Sequence, residues 1–307
     1  MSSAVGETPV LAEVPATPQS PWRRFASEFA ESRLALAGLA VLVALVAVAV
    51  AAPLISPQNP YDLAQLDVLD SKLAPGEHSA AGKTYWLGTD DQGRDMLSGI
   101  FYGLRISLTV GVTSTVIALA LGLVLGLAAA YFEGWVDIAV MRVADIQLSF
   151  PAILIALILL AMMGQGTGKI IAALVTVQWA YYARTVRSVA IVERRKEYIE
   201  AARALALSQP RILLRHLLPN CLPPLIVVAT VQVAHAISLE ATLSFLGLGL
   251  PITEPSLGLL IANGFQYLLS GTYWISFYPG LALLATIVSI NLVADQLRDV
   301  LNPRLKK

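Results

Sequence analysis

Six stretches of this chain, 34–55, 105–131, 138–163, 169–190, 222–246 and 277–296, are apolar and long enough to cross a lipid bilayer. A helix needs roughly 20 predominantly apolar residues to span about 30 Å of hydrocarbon, whereas a spanning strand needs only about 10. Inside the bilayer every backbone N–H and C=O must find its partner within the protein, which leaves helices as the structure for runs of this length. The expectation is an all-α, polytopic membrane protein with six transmembrane helices. Composition agrees, with 56% hydrophobic and 14% charged residues, against about a quarter charged in a soluble domain.

Several function classes drop out at once. The formal net charge is zero and the pI is near 6.8, so the clustered basic face of a nucleic-acid partner is missing. Cys221 is the single cysteine, which excludes an internal disulfide, and with His78, His216 and His235 it forms no zinc-binding spacing. The first 33 residues carry Glu7, Glu13, Glu28, Glu31 and several prolines, unlike the short cationic start of a cleaved leader, so the first span is expected to stay attached. Residues 1 to about 20, rich in Ser, Pro and Thr, read as a disordered tail.

Orientation follows from the basic residues. If the spans alternate and the N-terminus is inside, only Lys72, Lys83, Arg94, Arg105 and Lys169 fall outside, and the other sixteen of the 21 Lys and Arg fall inside. Positive charge accumulates on the cytoplasmic side, which places both termini in the cytoplasm. The chain then divides into a cytoplasmic tail (1–33), a first span (34–55), a periplasmic loop (56–104), a five-helix core (105–296) and a cytoplasmic C-terminal tail (297–307). The core includes a charged cytoplasmic loop at 191–221 and a Gly- and Pro-rich periplasmic loop at 247–276, where Tyr267, Tyr273 and Trp274 read as exposed or interfacial. The third span is the least regular, because Arg142 and Asp145 sit in its first turns. They are expected at the interface or paired with each other one turn apart, and Pro151 is expected to kink the helix or mark its entry into the membrane. No repeat of fixed period and no inverted repeat is present.

The most informative segment is YIEAARALALSQPRILLRHLLPN, Tyr198 to Asn220. Its charges and its Pro210 and Pro219 make it a poor span, yet Leu, Ala and Ile recur at helical spacing. It is expected to form two short helices on the cytoplasmic face. The alanines at 201, 202, 204 and 206 make the first slim enough to enter a groove on a partner, with Glu200 at its edge. Pro210 suits the first turn of the second, capped by Ser208 or Gln209 and ending near Pro219. An amphipathic connector resting on lipid headgroups is the competing reading.

These residues resemble a known pattern. Glu200, Ala201 and Ala202, with Leu218 and Pro219 at the expected distance, are similar to the EAA loop of permeases in ATP-binding-cassette importers. A second stretch, WLGTDDQGRDMLSGIFYGLRISL from Trp86 to Leu108, resembles the GTD, GRD and RISL pattern of C-type permeases for dipeptides and oligopeptides. FEGWVD (Phe132–Asp137), SFPAILIAL (Ser149–Leu157) and EATLSFLGLGLP (Glu240–Pro251) extend the likeness over nearly all of residues 30–305. The resemblance implies a MetI-like ABC importer permease fold in the bacterial inner membrane. It implies that the loop is a coupling helix docked into an ATPase subunit, with Glu200, Ala201, Ala202, Ala206, Leu218 and Pro219 as coupling residues.

The implied partners are a second homologous permease in a heterodimer, two ATP-binding subunits, a periplasmic solute-binding protein and membrane lipid, with no nucleic acid. ATP and magnesium are implied in the ATPase subunits, with no cofactor in this chain. The family usually has glycine where this chain has Ala206. Alanine enters the left-handed region reluctantly, so the turn is expected to shift toward Ser208 and Gln209.

On physical grounds Gly88 and Gly93 allow turns, Thr89 or Asp90 caps a helix, and Met96, Leu97, Ile100 and Phe101 give that helix an apolar face, which reads as a periplasmic helix along the membrane surface. The clustered acids there lack the ligand spacing of a calcium loop. MGQGTGKI (Met163–Ile170) has Met163 and Ile170 where a phosphate loop needs glycine and Ser or Thr, and reads as a turn. Within the spans, Gln178, Gln232, His235 and Glu240, with Ser238, are candidates for a translocation path, and interhelical hydrogen bonding is an equal alternative. Gly122 and Gly126 read as a close helix contact. A stand-alone secondary transporter or channel is the competing function. An intramembrane hydrolase fits poorly, because His235 and Ser238 lie one turn apart on one helix.

Overall fold

The computed structural model describes residues 20–80 and 82–301, all helix, turn and loop apart from two isolated bridges. The tail assigned to residues 1–20 therefore lies outside it except for Ser20, as do Arg304, Lys306 and Lys307. The helices in order are α1 (Pro21–Ala30), α2 (Arg33–Ile55), α3 (Met96–Phe132), α4 (Gly134–Leu148), α5 (Ala152–Met163), α6 (Thr167–Glu193), α7 (Glu197–Ala204), α8 (Gln209–Arg211), α9 (Leu218–Phe245), α10 (Leu257–Phe265) and α11 (Trp274–Leu301). A π-helical turn, Ile212–Leu217, joins α8 to α9. The expected tail 1–33 thus contains a helix, α1, which packs on α2 and α11; Phe29 is buried with Ala35 and Val293, and Gln296 Nε2 donates to the Glu28 carbonyl at 3.0 Å.

Five of the six apolar stretches each fall on one helix, the fifth of them, 222–246, running one residue past its end, and the third, 138–163, is divided between α4 and α5. Among the described residues, four helices, Arg33–Ile55, Met96–Phe132, Gln209–Phe245 and Trp274–Leu301, are both long and apolar enough to cross a membrane, and α4 with α5 makes a fifth if taken as one span bent by 90°. The break falls at Ser149–Pro151, where the proline was expected to act: it cannot donate to the preceding turn and pushes Phe150 out of the helical region. The stretch 169–190 lies in α6, whose 27 residues reach about 40 Å at 1.5 Å per residue. Lys169, Gln178, Arg184 and Arg187 lower its hydropathy.

The pairing of α3 with α6 is the most extensive in the protein. Lipid gives two apolar helices little reason to prefer each other, so small residues that let backbones approach decide where they pack. Gly122 and Gly126 do this: a Cβ at Gly122 would lie 2.7 Å from the Trp179 carbonyl oxygen and 2.9 Å from Ala183 N. One buried cluster joins Val110 of α3, Ala156 and Leu160 of α5, Ile170 and Leu174 of α6, and Ala236 and Leu243 of α9.

Two segments outside the expected spans differ from expectation. The apolar residues at 96–101 form no separate surface helix but the first turns of α3, because Asp95 rather than Thr89 or Asp90 accepts from Ser98 N as the cap. Their apolar face turns to protein: Met96 is buried with Trp274 and Ile275, and Ile100 with Leu104 and Leu257. Residues 247–276 contain α10, packed on α9, α11 and α3. Trp274 is buried, not exposed, and its Nε1 donates to the Thr89 carbonyl at 3.2 Å.

Candidate functional site

The segment after α6 folds back by local rules. Tyr198 donates to Glu193 at 2.8 Å and Lys196 pairs with Glu193 at 2.6 Å, which fixes the reversal into α7. Burial and that bond to Glu193 push the Tyr198 hydroxyl up to about 12. Helix α7 is amphipathic: Ile199 and Ala202 are buried against Ile212 and Leu207, while Glu200, Ala201, Ala204 and Leu205 face out. Leu205, an apolar side chain at the end of this helix, is 74% exposed.

The turn does not move to Ser208 and Gln209. Ala206 itself is left-handed, with φ 54°. Leu207 N donates to the Ala202 carbonyl at 3.2 Å and Ala206 N to that of Arg203 at 2.9 Å. This is the Schellman arrangement, completed by the apolar contact of Leu207 with Ala202, and it demands the left-handed residue at this position.

Ser208 is the N-cap residue of α8 and Pro210 lies in its first turn. The second helix was expected to end near Pro219, but helix runs without a break from Gln209 to Phe245, 37 residues. The π turn just ahead of Pro219 rearranges the bonding where the proline lacks its N–H, and Asn220 Nδ2 donates to the His216 carbonyl at 2.7 Å. Leu218 is half-buried and Pro219 exposed.

Ion pairs fasten α4 to α6, the helix that leads into α7. Asp137 pairs with Arg187 through two bonds, Asp145 with Arg184, and Glu133, at the α3–α4 corner, with Arg194. The partner of Asp145 is thus Arg184 and not Arg142. Trp179 Nε1 donates to Gln147 at 2.7 Å and Gln147 to the Val177 carbonyl at 3.0 Å, closing the same seam. The sequence held a signal for these pairs, since charged residues in spans seek partners on neighbouring helices.

Between α5, α6 and α9 lies a cavity of about 250 Å³ whose polar lining is Gln178, Tyr181, Gln232, His235, Ser238 and Thr242. Four of the five path candidates, Gln178, Gln232, His235 and Ser238, come together there. Glu240 does not: it is fully buried, accepting from Ser107 of α3 at 2.9 Å and Ser244 at 2.7 Å. It therefore joins α9 to α3 in the interhelical role that was the alternative.

The loop ahead of α3 is organised by the GTDDQGRD run. Gly88 and Gly93 take φ 77° and 76°. Asp90 accepts from Gln92 N and Arg94 N at 2.9 and 2.8 Å, and Arg94 donates to the Ile252 carbonyl at 3.3 Å, tying residues 89–95 to the loop before α10. Burial pushes the Asp90 carboxyl above its ordinary value, with the Arg94 guanidinium opposing.

Residues 122–307 match the family described as the binding-protein-dependent transport system inner membrane component, and residues 20–75 match the N-terminal TM domain of oligopeptide transport permease C. The chain is 38% identical to the dipeptide transport system permease protein DppC of Escherichia coli K12, over 94% of this chain and 95% of that one. It is 36% identical to DppC of Alkalihalophilus pseudofirmus, over 94% and 92%, and 34% identical to the glutathione transport system permease protein GsiD of Pectobacterium atrosepticum, over 94% and 93%. Among solved structures, an inward-facing form of the MetNI methionine ABC transporter superposes with a TM-score of 0.50 and 22% identity, over 67% of this chain and 95% of that chain, a likeness of fold. Family match, extended identity and shared fold agree: the chain belongs to the inner-membrane permease components of binding-protein-dependent transport systems.

Proposed function

We propose that this chain is one of two permease subunits of an ATP-binding-cassette importer for dipeptides, oligopeptides or similar small solutes. A periplasmic binding protein delivers the solute, two partner ATPase subunits bind ATP and magnesium and supply the energy, and a second permease of the same family completes the path. Both termini are cytoplasmic, and the chain itself hydrolyses nothing. The cargo class rests on the named relatives, which handle dipeptides and glutathione.

The observation that carries the coupling role is the outward face of α7. Glu200, Ala201, Ala204 and Leu205 are exposed while Ile199 and Ala202 anchor the helix to the chain behind. A slim helix showing a carboxylate and a bare leucine fits a groove on a protein, and its rear anchors make it a handle. Ala206 closes the turn that follows it, and Leu218 and Pro219 open the long helix beyond.

Gln178, Gln232 and His235 are proposed to face the path. The test is Glu200→Arg in the assembled transporter: ATP-driven uptake is expected to fall while membrane insertion is kept, and unimpaired uptake refutes the docking role. Uptake by this chain alone under an ion gradient would favour a stand-alone transporter.

A further inference from the structure

The cavity between α5, α6 and α9 has a hydrogen-bonding balance that its residue names alone do not reveal. A hydroxyl carries one proton and two acceptor positions. Ser238 Oγ donates its proton to the Ala234 carbonyl at 2.9 Å, and Thr242 Oγ1 donates to the Ser238 carbonyl at 2.8 Å. Toward the cavity both are left as acceptors. Gln178 Nε2 donates to the Gln232 carbonyl at 3.3 Å. That bond fixes the amide orientation, since only the nitrogen end serves a carbonyl. Gln178 Oε1 then remains without a partner among the described residues, on a side chain 4% exposed that lines the cavity. No carboxylate belongs to the lining. Gln232, His235 and the Tyr181 hydroxyl can each donate or accept, whereas Ser238 and Thr242, whose protons are already engaged, lie beyond Gln232 and His235 along α9.

We propose that this cavity is a contact site for amine-bearing solutes, in which Gln178 Oε1, Ser238 Oγ and Thr242 Oγ1 accept hydrogen bonds from an ammonium group in transit. Neutral oxygens hold an ammonium less tightly than a carboxylate does. Contact with release is what a path requires, and a site that binds too firmly blocks its own traffic. The proposal rests on the reading of the chain as a permease subunit, and it assigns the site a ligand chemistry.

The test uses the assembled transporter in proteoliposomes with Cys221→Ala and His235→Cys, so that position 235 is the single thiol of this chain. Labelling by methyl methanethiosulfonate is timed with alanyl-alanine amide, which carries an ammonium, and with N-acetyl-alanyl-alanine amide, which does not. The ammonium probe is expected to slow labelling at least about threefold and the acetylated probe to leave it nearly unchanged, as for a weak, saturable site. Adding Gln178→Leu, Ser238→Ala and Thr242→Val should abolish the protection. Equal protection by both probes, or protection that survives the triple change, overturns the proposal. If the triple variant does not assemble, Thr242→Val alone, which keeps the side-chain shape, should reduce protection, and undiminished protection overturns the proposal. ATP-driven uptake by the unmodified transporter is measured separately: its absence defeats the permease reading, whereas the labelling comparison addresses the cavity alone.

Discussion

Replacing Ala206 with glycine removes one methyl group from the only left-handed residue of the α7–α8 connection, and the outcome follows from two opposed terms. At φ 54° the Cβ of an L-residue crowds the following carbonyl, at about 1–2 kcal/mol per residue. Glycine avoids that crowding but gives the unfolded chain more conformations, which costs about 0.4–1 kcal/mol on folding. The steric term is the larger, so Ala206→Gly is expected to stabilise the turn by about 0.5–1 kcal/mol.

The assay reads the turn directly. Leu207 N donates to the Ala202 carbonyl, so its amide exchanges with solvent only when the Schellman closure opens. Hydrogen exchange of Leu207 in the glycine variant should slow by about two- to fivefold, since 1.36 kcal/mol is a factor of ten. Ala201→Gly, inside α7 rather than at its end, is expected to act oppositely, weakening the helix by about 1 kcal/mol. Unchanged or faster exchange at Leu207 in Ala206→Gly would refute the claim that residue 206 holds strain.

Gly122→Leu should wedge α3 from α6, because the Trp179 carbonyl and Ala183 N that a Cβ would meet are backbone atoms; a loss of at least about 1–3 kcal/mol is expected in detergent unfolding, and native-like stability would contradict the packing. Asp137→Arg should destabilise the α4–α6 seam, and adding Arg187→Asp should recover part of the loss, with a coupling of about 1 kcal/mol measured by a double-mutant cycle. Additive effects would show that the pair is inert. Trp274→Phe removes the donor to the Thr89 carbonyl; about 1 kcal/mol of local stability is expected to go, seen as faster proteolysis within residues 71–95.

Much of this architecture is legible in the sequence because it is written locally. Apolar runs of spanning length, Pro151 at the bend and the amphipathic pattern of α7 each declare themselves within a few residues. What could not be read depends on separation or on competition between equals. Asp145 had a basic residue one turn away, yet its partner Arg184 lies 39 positions on, across the contact between α4 and α6. Thr89, Asp90 and Asp95 are all capable caps, and the choice falls to Asp95 because Met96 and Ile100 must reach Trp274, Ile275 and Leu257. Glu240 resembled a path residue by position along α9, and only the arrival of Ser107 from α3 makes it a buried tie. Within the cavity, residue type was readable for Gln178 and His235, but not which of their hydrogen-bonding atoms were already engaged.

The passage through Pro219 bears most directly on how the protein works. A helix that ended there would leave α7 on a flexible tether, and its displacement would be lost before the membrane. The π turn lets the helix continue, so one rod of about 55 Å runs from Gln209 to Phe245. Ile212, on that rod, packs directly against Ile199 and Ala202 of α7, and Ser238 and Thr242, on the same rod, line the cavity. The second connection is α6, which carries Gln178 to the same cavity and is fastened to α4 by Arg184 and Arg187. A force applied to the exposed face of α7 therefore enters two long helices whose far portions form two walls of one cavity. Both helices rest on α3, α6 at Gly122 and Gly126 and α9 through Glu240, and α6 is pinned to α4 as well, so α3 is the common support against which a push on α7 would bear.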